Sequence, residues 1–182
     1  MLVHCGDIVF SGRNYTEKTL IKKYKDFNAW LAEQPHRVKL VIAGNHDGYL
    51  AHVGKDNAKR LLSACTYLQD EEVRVDGWAS FFGTPSSVGT SKNSAFQGKT
   101  LPLDRIPSTT DVLLIHQTVP NRDLERYLRS SSVRVVISGH LHCEYGIHRL
   151  PGIRATVVTA STLDGKYRPL NPPIVFDLKR VN

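Results

Sequence analysis

Four runs of apolar residues, far apart in this sequence, each end on side chains that bind metal ions. Leu2 to Cys5 leads into Gly6-Asp7, and Val38 to Ala43 leads into Gly44-Asn45-His46-Asp47. Val112 to Ile115 leads into His116, and Val133 to Ser138 into Gly139-His140-Leu141-His142. Apolar runs of this length bounded by glycine or polar residues read as strands covered on both faces. A sheet delivers the ends of its strands to one edge, and α/β proteins bind ligands beyond the carboxyl ends. The chain is thereby constrained to a fold that brings carboxylate, amide and imidazole donors together from separate strands.

Between these runs the pattern alternates. Asn14-Tyr15-Thr16-Glu17 reads as an asparagine-headed capping box. Leu20, Tyr24, Phe27 and Leu31 then recur at helical spacing until Pro35. Asp56 to Ala64 predicts a second helix with Leu61 and Leu62 inward, and Asp123 to Arg129 a third. Val73 to Val75 and Trp78 to Phe82 flank Asp76-Gly77, a hairpin signal. Residues 84–110 read as one long loop rich in Ser, Gly, Lys and Pro. Loops of that length in compact domains are usually functional or mobile. Tyr145 to His148, Thr156 to Thr159 and Ile174 to Leu178 read as further strands. The expected architecture is α/β, with two packed mixed sheets flanked by helices and the second sheet the more antiparallel.

The chain has 182 residues, enough for one domain with a substantial core. The opening residues lack the charged start and long apolar middle of a secretory signal. No apolar run reaches the roughly 20 residues of a membrane helix. A cytoplasmic protein without a membrane partner is therefore expected. Cys5, Cys65 and Cys143 are too few and too widely spaced for a disulfide framework. Buried thiols are the plain reading, although Cys143 beside His142 offers an extra ligand or redox group. The net charge of +7 attracts anionic substrates. Its basic residues fall on helical solvent faces without interleaved aromatics, which argues against a nucleic-acid partner.

Singly, each ligand motif has a bland reading. Gly6-Asp7 and Asn45-His46-Asp47-Gly48 contain good turn residues. A histidine that ends an apolar strand is commonly a hydrogen-bonded core residue. Together they supply a mixed oxygen and nitrogen donor set suited to Mn, Fe or Zn.

This ordered set, Gly-Asp, Gly-Asn-His-Asp, a strand-ending His and Gly-His-Leu-His, resembles the calcineurin-like metallophosphoesterases, and in particular their metallophosphoesterase-domain-containing branch. His4-Cys5-Gly6-Asp7, Tyr67-Leu68-Gln69-Asp70 and the stretch from Asn171-Pro172-Pro173 to Leu178 resemble segments of that branch. The resemblance implies a four-layer αββα sandwich spanning residues 1–182. It also implies a divalent-metal enzyme that hydrolyses phosphate monoesters or diesters, with phosphodiesters such as cyclic nucleotides favoured. By position, Asp7 would bridge two metals. Asn45, His116 and His140 would complete the second metal site, and His142 would belong to the first. His46 would contact the phosphate or protonate the leaving group.

Two departures from the family pattern stand out. Its Asp-x-His strand has no counterpart before Met1, so the sequence reads as N-terminally truncated, with one complete and one partial metal site and impaired activity. Its His-Gly-Pro-Pro is here His116-Gln117-Thr118-Val119-Pro120, which is expected to reshape the pocket floor. The alternative is a catalytically silent binding or scaffold module on the same fold. Oligomeric state is left open.

Overall fold

The protein's structure, a computed structural model, describes residues 1–10 and 15–178. Strand β1 (Leu2–Cys5) pairs in parallel with β2 (Lys39–Ile42), and β2 in parallel with β3 (Thr66–Tyr67). A second sheet has six strands. In chain order they are β4 (Glu71–Val75), β5 (Ala79–Thr84), then β8 (Val112–Ile115), β9 (Val135–Ser138), β10 (Gly146–Arg149) and β11 (Thr156–Thr159). The short parallel pair β6 (Ser87–Val88) and β7 (Gln97–Gly98) lies apart from both.

The second sheet runs β10-β11-β9-β8-β5-β4, and its interior strands β11, β9, β8 and β5 are all parallel to one another. Only the edge pairs β10 with β11 and β4 with β5 are antiparallel. The second sheet is thus the more antiparallel of the two, as expected, since every pairing in the first is parallel. Helix α4 (Arg122–Ser130) carries the parallel crossover between β8 and β9.

Side-chain alternation explains the layers. Leu40 and Ile42 of β2 pack with Phe81, Val112, Leu114, Val135 and Ile137 in a core between the two sheets. Val41 and Ala43 point the other way, against Tyr24 and Leu31 of α1 (Glu17–Glu33), Leu50 of α2 (Gly48–Val53) and Ala58 of α3 (Lys55–Leu61). On the far side of the larger sheet, Leu113, Ile115, Val136 and Val157 meet Leu124 and Leu128 of α4. Helices thus cover both outer faces, giving the αββα sandwich that the apolar runs and the resemblance implied.

Several local expectations shift. Thr16 caps α1 by accepting from the Thr19 amide at 3.3 Å, while Asn14 lies outside the described residues. Helix α2, six residues long and beginning at Gly48, has no counterpart among the expected elements. The hairpin closes through three residues, 76–78, because Val75 pairs with Ala79, and Gly77 takes φ +72°. Ile174 to Leu178 form no strand. Ile174, Phe176 and Leu178 instead pack against the core between the sheets. Among the described residues no helix is long and apolar enough to cross a membrane.

Leu114, fully buried in a central strand, tests the layered packing most simply. Leu114→Ala is expected to lower the unfolding free energy by about 2–5 kcal/mol in urea denaturation. A loss under about 1 kcal/mol would contradict a tightly filled core between the sheets.

Candidate metal centre

The chain leaves β1 through two residues in the left-handed region, Gly6 at φ +91° and Asp7 at φ +56°. A side chain on Gly6 would strike the carbonyl of Ala43, so only glycine lets β1 and β2 run this close at their carboxyl ends. The bend turns the Asp7 carboxylate back over the end of β2. His4, one turn earlier, accepts the Gly6 amide on Nδ1 at 3.3 Å and packs edge-on against Phe27.

Asp47 holds the two loops together. Its buried carboxylate accepts the amides of Ile8 (3.1 Å), Val9 (3.0 Å) and Gly44 (2.8 Å), and the Tyr24 hydroxyl at 2.9 Å. Burial raises its pKa to about 6 against these donors. At neutral pH it is an ionised acceptor with four partners.

Four donor atoms converge above these loops. His116, at the end of β8, is fully buried and sets its Nδ1 against the Cys5 carbonyl at 2.8 Å. A carbonyl can only accept, so Nδ1 carries hydrogen and Nε2 faces the cluster. There Nε2 lies 3.0 Å from Asn45 Oδ1 and 3.4 Å from Asp7 Oδ2. His140, held at φ +71° after β9, brings Nδ1 to 2.9 Å from Asn45 Oδ1 and 3.2 Å from His116 Nε2. The ligand atoms of Asp7, His116 and His140 all fall within 4.8 Å of one another.

The charge balance of this cluster favours a cation. Burial opposes charge on both Asp7 and His116, yet their mutual attraction prevails. The Asp7 carboxyl is held below, and the His116 imidazole above, its usual range. Burial and the neighbouring His116 push His140 down to about 4, so it keeps a lone pair at neutral pH. Carboxylate, amide oxygen and neutral imidazole form a donor set for a borderline or hard divalent ion. Asp7, Asn45, His116 and His140 fit such an ion.

The remaining expected site residues fall around this cluster. His46 donates its backbone amide to Asp7 Oδ1 at 2.9 Å, and its ring lies 5.2 Å from that of Phe10. His142 stays outside the four-atom cluster and meets the ring of Tyr167 edge-on at 4.7 Å. Cys143 is exposed, with its thiol 3.8 Å from Glu144 Oε1, while Cys5 is buried with its thiol toward the Ile137 carbonyl.

Other groups support the cluster, among them Gln117 and Thr118 of the segment that departs from the family pattern. Asn45 is oriented by the Asn93 carbonyl, which accepts its Nδ2 at 2.9 Å, so the long segment after β5 fixes a donor. Thr118 donates to the Gly139 carbonyl and accepts the Leu141 amide, anchoring the His140 loop. Gln117 is buried and accepts the Val88 amide, so it braces β6.

Gly44 sits directly beneath the cluster, where a Cβ would press into the Asp7 carboxylate and the His116 ring. Gly44→Ala is expected to weaken manganese binding at least about tenfold by calorimetry, since misplaced ligands lose affinity on that scale. Unchanged affinity would contradict this close approach.

Comparison with known proteins agrees with the geometry. The profile of the calcineurin-like phosphoesterases matches residues 1–144. Metallophosphoesterase domain-containing protein 1 of Homo sapiens is 31% identical over 215 residues, covering 95% of this chain and 65% of that protein. The Mus musculus protein of the same name matches with the same figures of 31%, 95% and 65%. UPF0046 protein C25E10.12 of Caenorhabditis elegans is 28% identical over 209 residues, covering 95% of this chain and 73% of its own length. The chain therefore spans about 65% of the length of the human and mouse relatives. With its family profile matched from β1 through the His140 loop and its strand-end ligands gathered at one edge, the chain belongs to the calcineurin-like phosphoesterases, a family that uses divalent metals.

Proposed function

We propose that this chain hydrolyses phosphate esters with the help of a divalent metal, phosphodiesters ahead of monoesters and cyclic nucleotides among the candidates. The observation that supports this most is the convergence of Asp7, Asn45, His116 and His140 on one point at the carboxyl ends of β1, β2, β8 and β9. In this reading those four residues hold one ion, Mn, Fe or Zn. In the same reading Asp7 and His142 would contribute to a second, weaker site. A bound divalent ion supplies positive charge to phosphoryl oxygens and lowers the pKa of water.

The chain's own groups do the rest. Asp7 is fixed by the His46 amide, which donates to its Oδ1 and leaves Oδ2 toward His116 and the cluster. The Cys5 carbonyl fixes the tautomer and orientation of His116. In this reading His46, whose backbone amide is bound to Asp7 Oδ1, protonates the departing oxygen. The net charge of +7 draws an anionic ester toward the site.

His142 lies outside the four-atom cluster, which favours a single tightly held ion and slow turnover. After manganese loading and desalting, elemental analysis is expected to find about one ion per chain. Two retained ions would contradict this. With manganese present, Asp7→Asn is expected to reduce hydrolysis of bis(4-nitrophenyl) phosphate by about 100-fold or more, the scale of removing a preorganised electrostatic group. Turnover independent of Asp7, or none in the unaltered chain, would favour a silent binding module.

A further inference from the structure

Two large aromatic rings stand in solvent beside the metal cluster. Phe10 is 63% exposed and Tyr167 is 74% exposed. Each packs on a histidine of a ligand-bearing loop: Phe10 on His46 at 5.2 Å, and Tyr167 on His142 at 4.7 Å. His46 donates its backbone amide to Asp7 Oδ1 at 2.9 Å, and His142 follows His140 by two residues. The rings therefore flank the cluster through two different loops. Other exposed aromatics are placed differently. Trp30 stacks on Phe27 of α1, and Trp78 caps the β4–β5 hairpin.

Tyr167 is also held in place at a conformational cost. Its φ is +59°, a region that a bulky side chain seldom adopts. Asp164 braces the turn around it. That carboxylate accepts the Lys166 and Arg168 amides at 2.9 Å and pairs with the Arg168 guanidinium at 2.6 Å. The Tyr167 amide closes the turn onto the Asp164 carbonyl at 2.8 Å. A strained, braced and exposed ring at the rim of a site is the arrangement of a binding platform.

We propose that Phe10 and Tyr167 are specificity residues that favour phosphoesters carrying a flat aromatic group, which they stack against while the phosphate meets the metal cluster. This rests on the function proposed above. The chemistry is sequence-tolerant, since any planar ring offers a face, and a tyrosine or phenylalanine face contributes both area and edge-to-face attraction. Recognition is thereby divided, with the phosphate read by charge and the ester group by stacking.

The test uses two ligands that cannot be hydrolysed, phenylphosphonate and methylphosphonate, titrated calorimetrically into the zinc-loaded chain. The expected result is a preference for the phenyl compound of about tenfold, the scale of one good aromatic stack. The preference is expected to disappear in the double variant Phe10→Ala, Tyr167→Ala, and to persist in Tyr167→Phe. A second double variant, Phe10→Leu, Tyr167→Leu, keeps apolar bulk and is expected to lose most of it. Equal binding of the two phosphonates by the unaltered chain, absence of binding included, would overturn the proposal. A preference that survives both double variants would do the same. Because binding is read without turnover, a chain that stacks the phenyl group yet hydrolyses nothing would refute the proposed activity and leave the platform standing.

Discussion

The Asp47 carboxylate is the contact on which the site depends. It sits with no exposed surface between two loops and a helix, and accepts from Ile8, Val9, Gly44 and Tyr24. A buried carboxylate is costly unless its acceptor capacity is filled, and here four donors fill it. The same contacts fix the chain on either side of Asp7 and Asn45. The left-handed bend at Gly6 and Asp7 would otherwise cost backbone energy with nothing to hold it. Stability and ligand geometry are therefore produced by the same four hydrogen bonds.

The electrostatics follow from that placement. Two parallel strand pairs, β1 with β2 and β8 with β9, end at the same level, so their loops deliver acceptor atoms into a small volume. Asp7, Asn45, His116 and His140 face one another within 4.8 Å for the three titratable groups. Acceptors packed this tightly repel unless a proton or cation lies among them. The depressed Asp7 and elevated His116 proton affinities express that demand. Behind the site Ile42, Leu114 and Ile137 are buried together in the core between the sheets, and close-packed interiors of this kind resist displacement.

Much of this was legible in the chain. Apolar runs ending in ligand residues predicted strand ends, because a strand covered on both faces must be apolar throughout and its polar residues collect where it emerges. The αββα order followed, and so did the meeting of Asp7, Asn45, His116 and His140. The structural role of Asp47 was hidden, since a turn residue and a buried acceptor look alike in sequence. Asn93 was hidden for another reason: it contributes a backbone carbonyl, which any residue would supply. Helix α2 was lost to its length of six residues, below what periodicity can resolve. The β-rich reading of residues 174–178 took alternating apolar residues for a strand, where they cover the core without pairing. His142 shows the limit of spacing: two residues from His140, it turns to Tyr167.

Four side chains from four separate strand ends are proposed to form one metal centre. Anomalous diffraction from a crystal soaked in manganese tests it directly. One strong peak is expected, bounded by Asp7, Asn45 Oδ1, His116 Nε2 and His140 Nδ1, at roughly 2.0–2.3 Å from each, as for oxygen and imidazole ligands of such ions. A strong peak elsewhere on the molecule, or none among these four atoms, would contradict it.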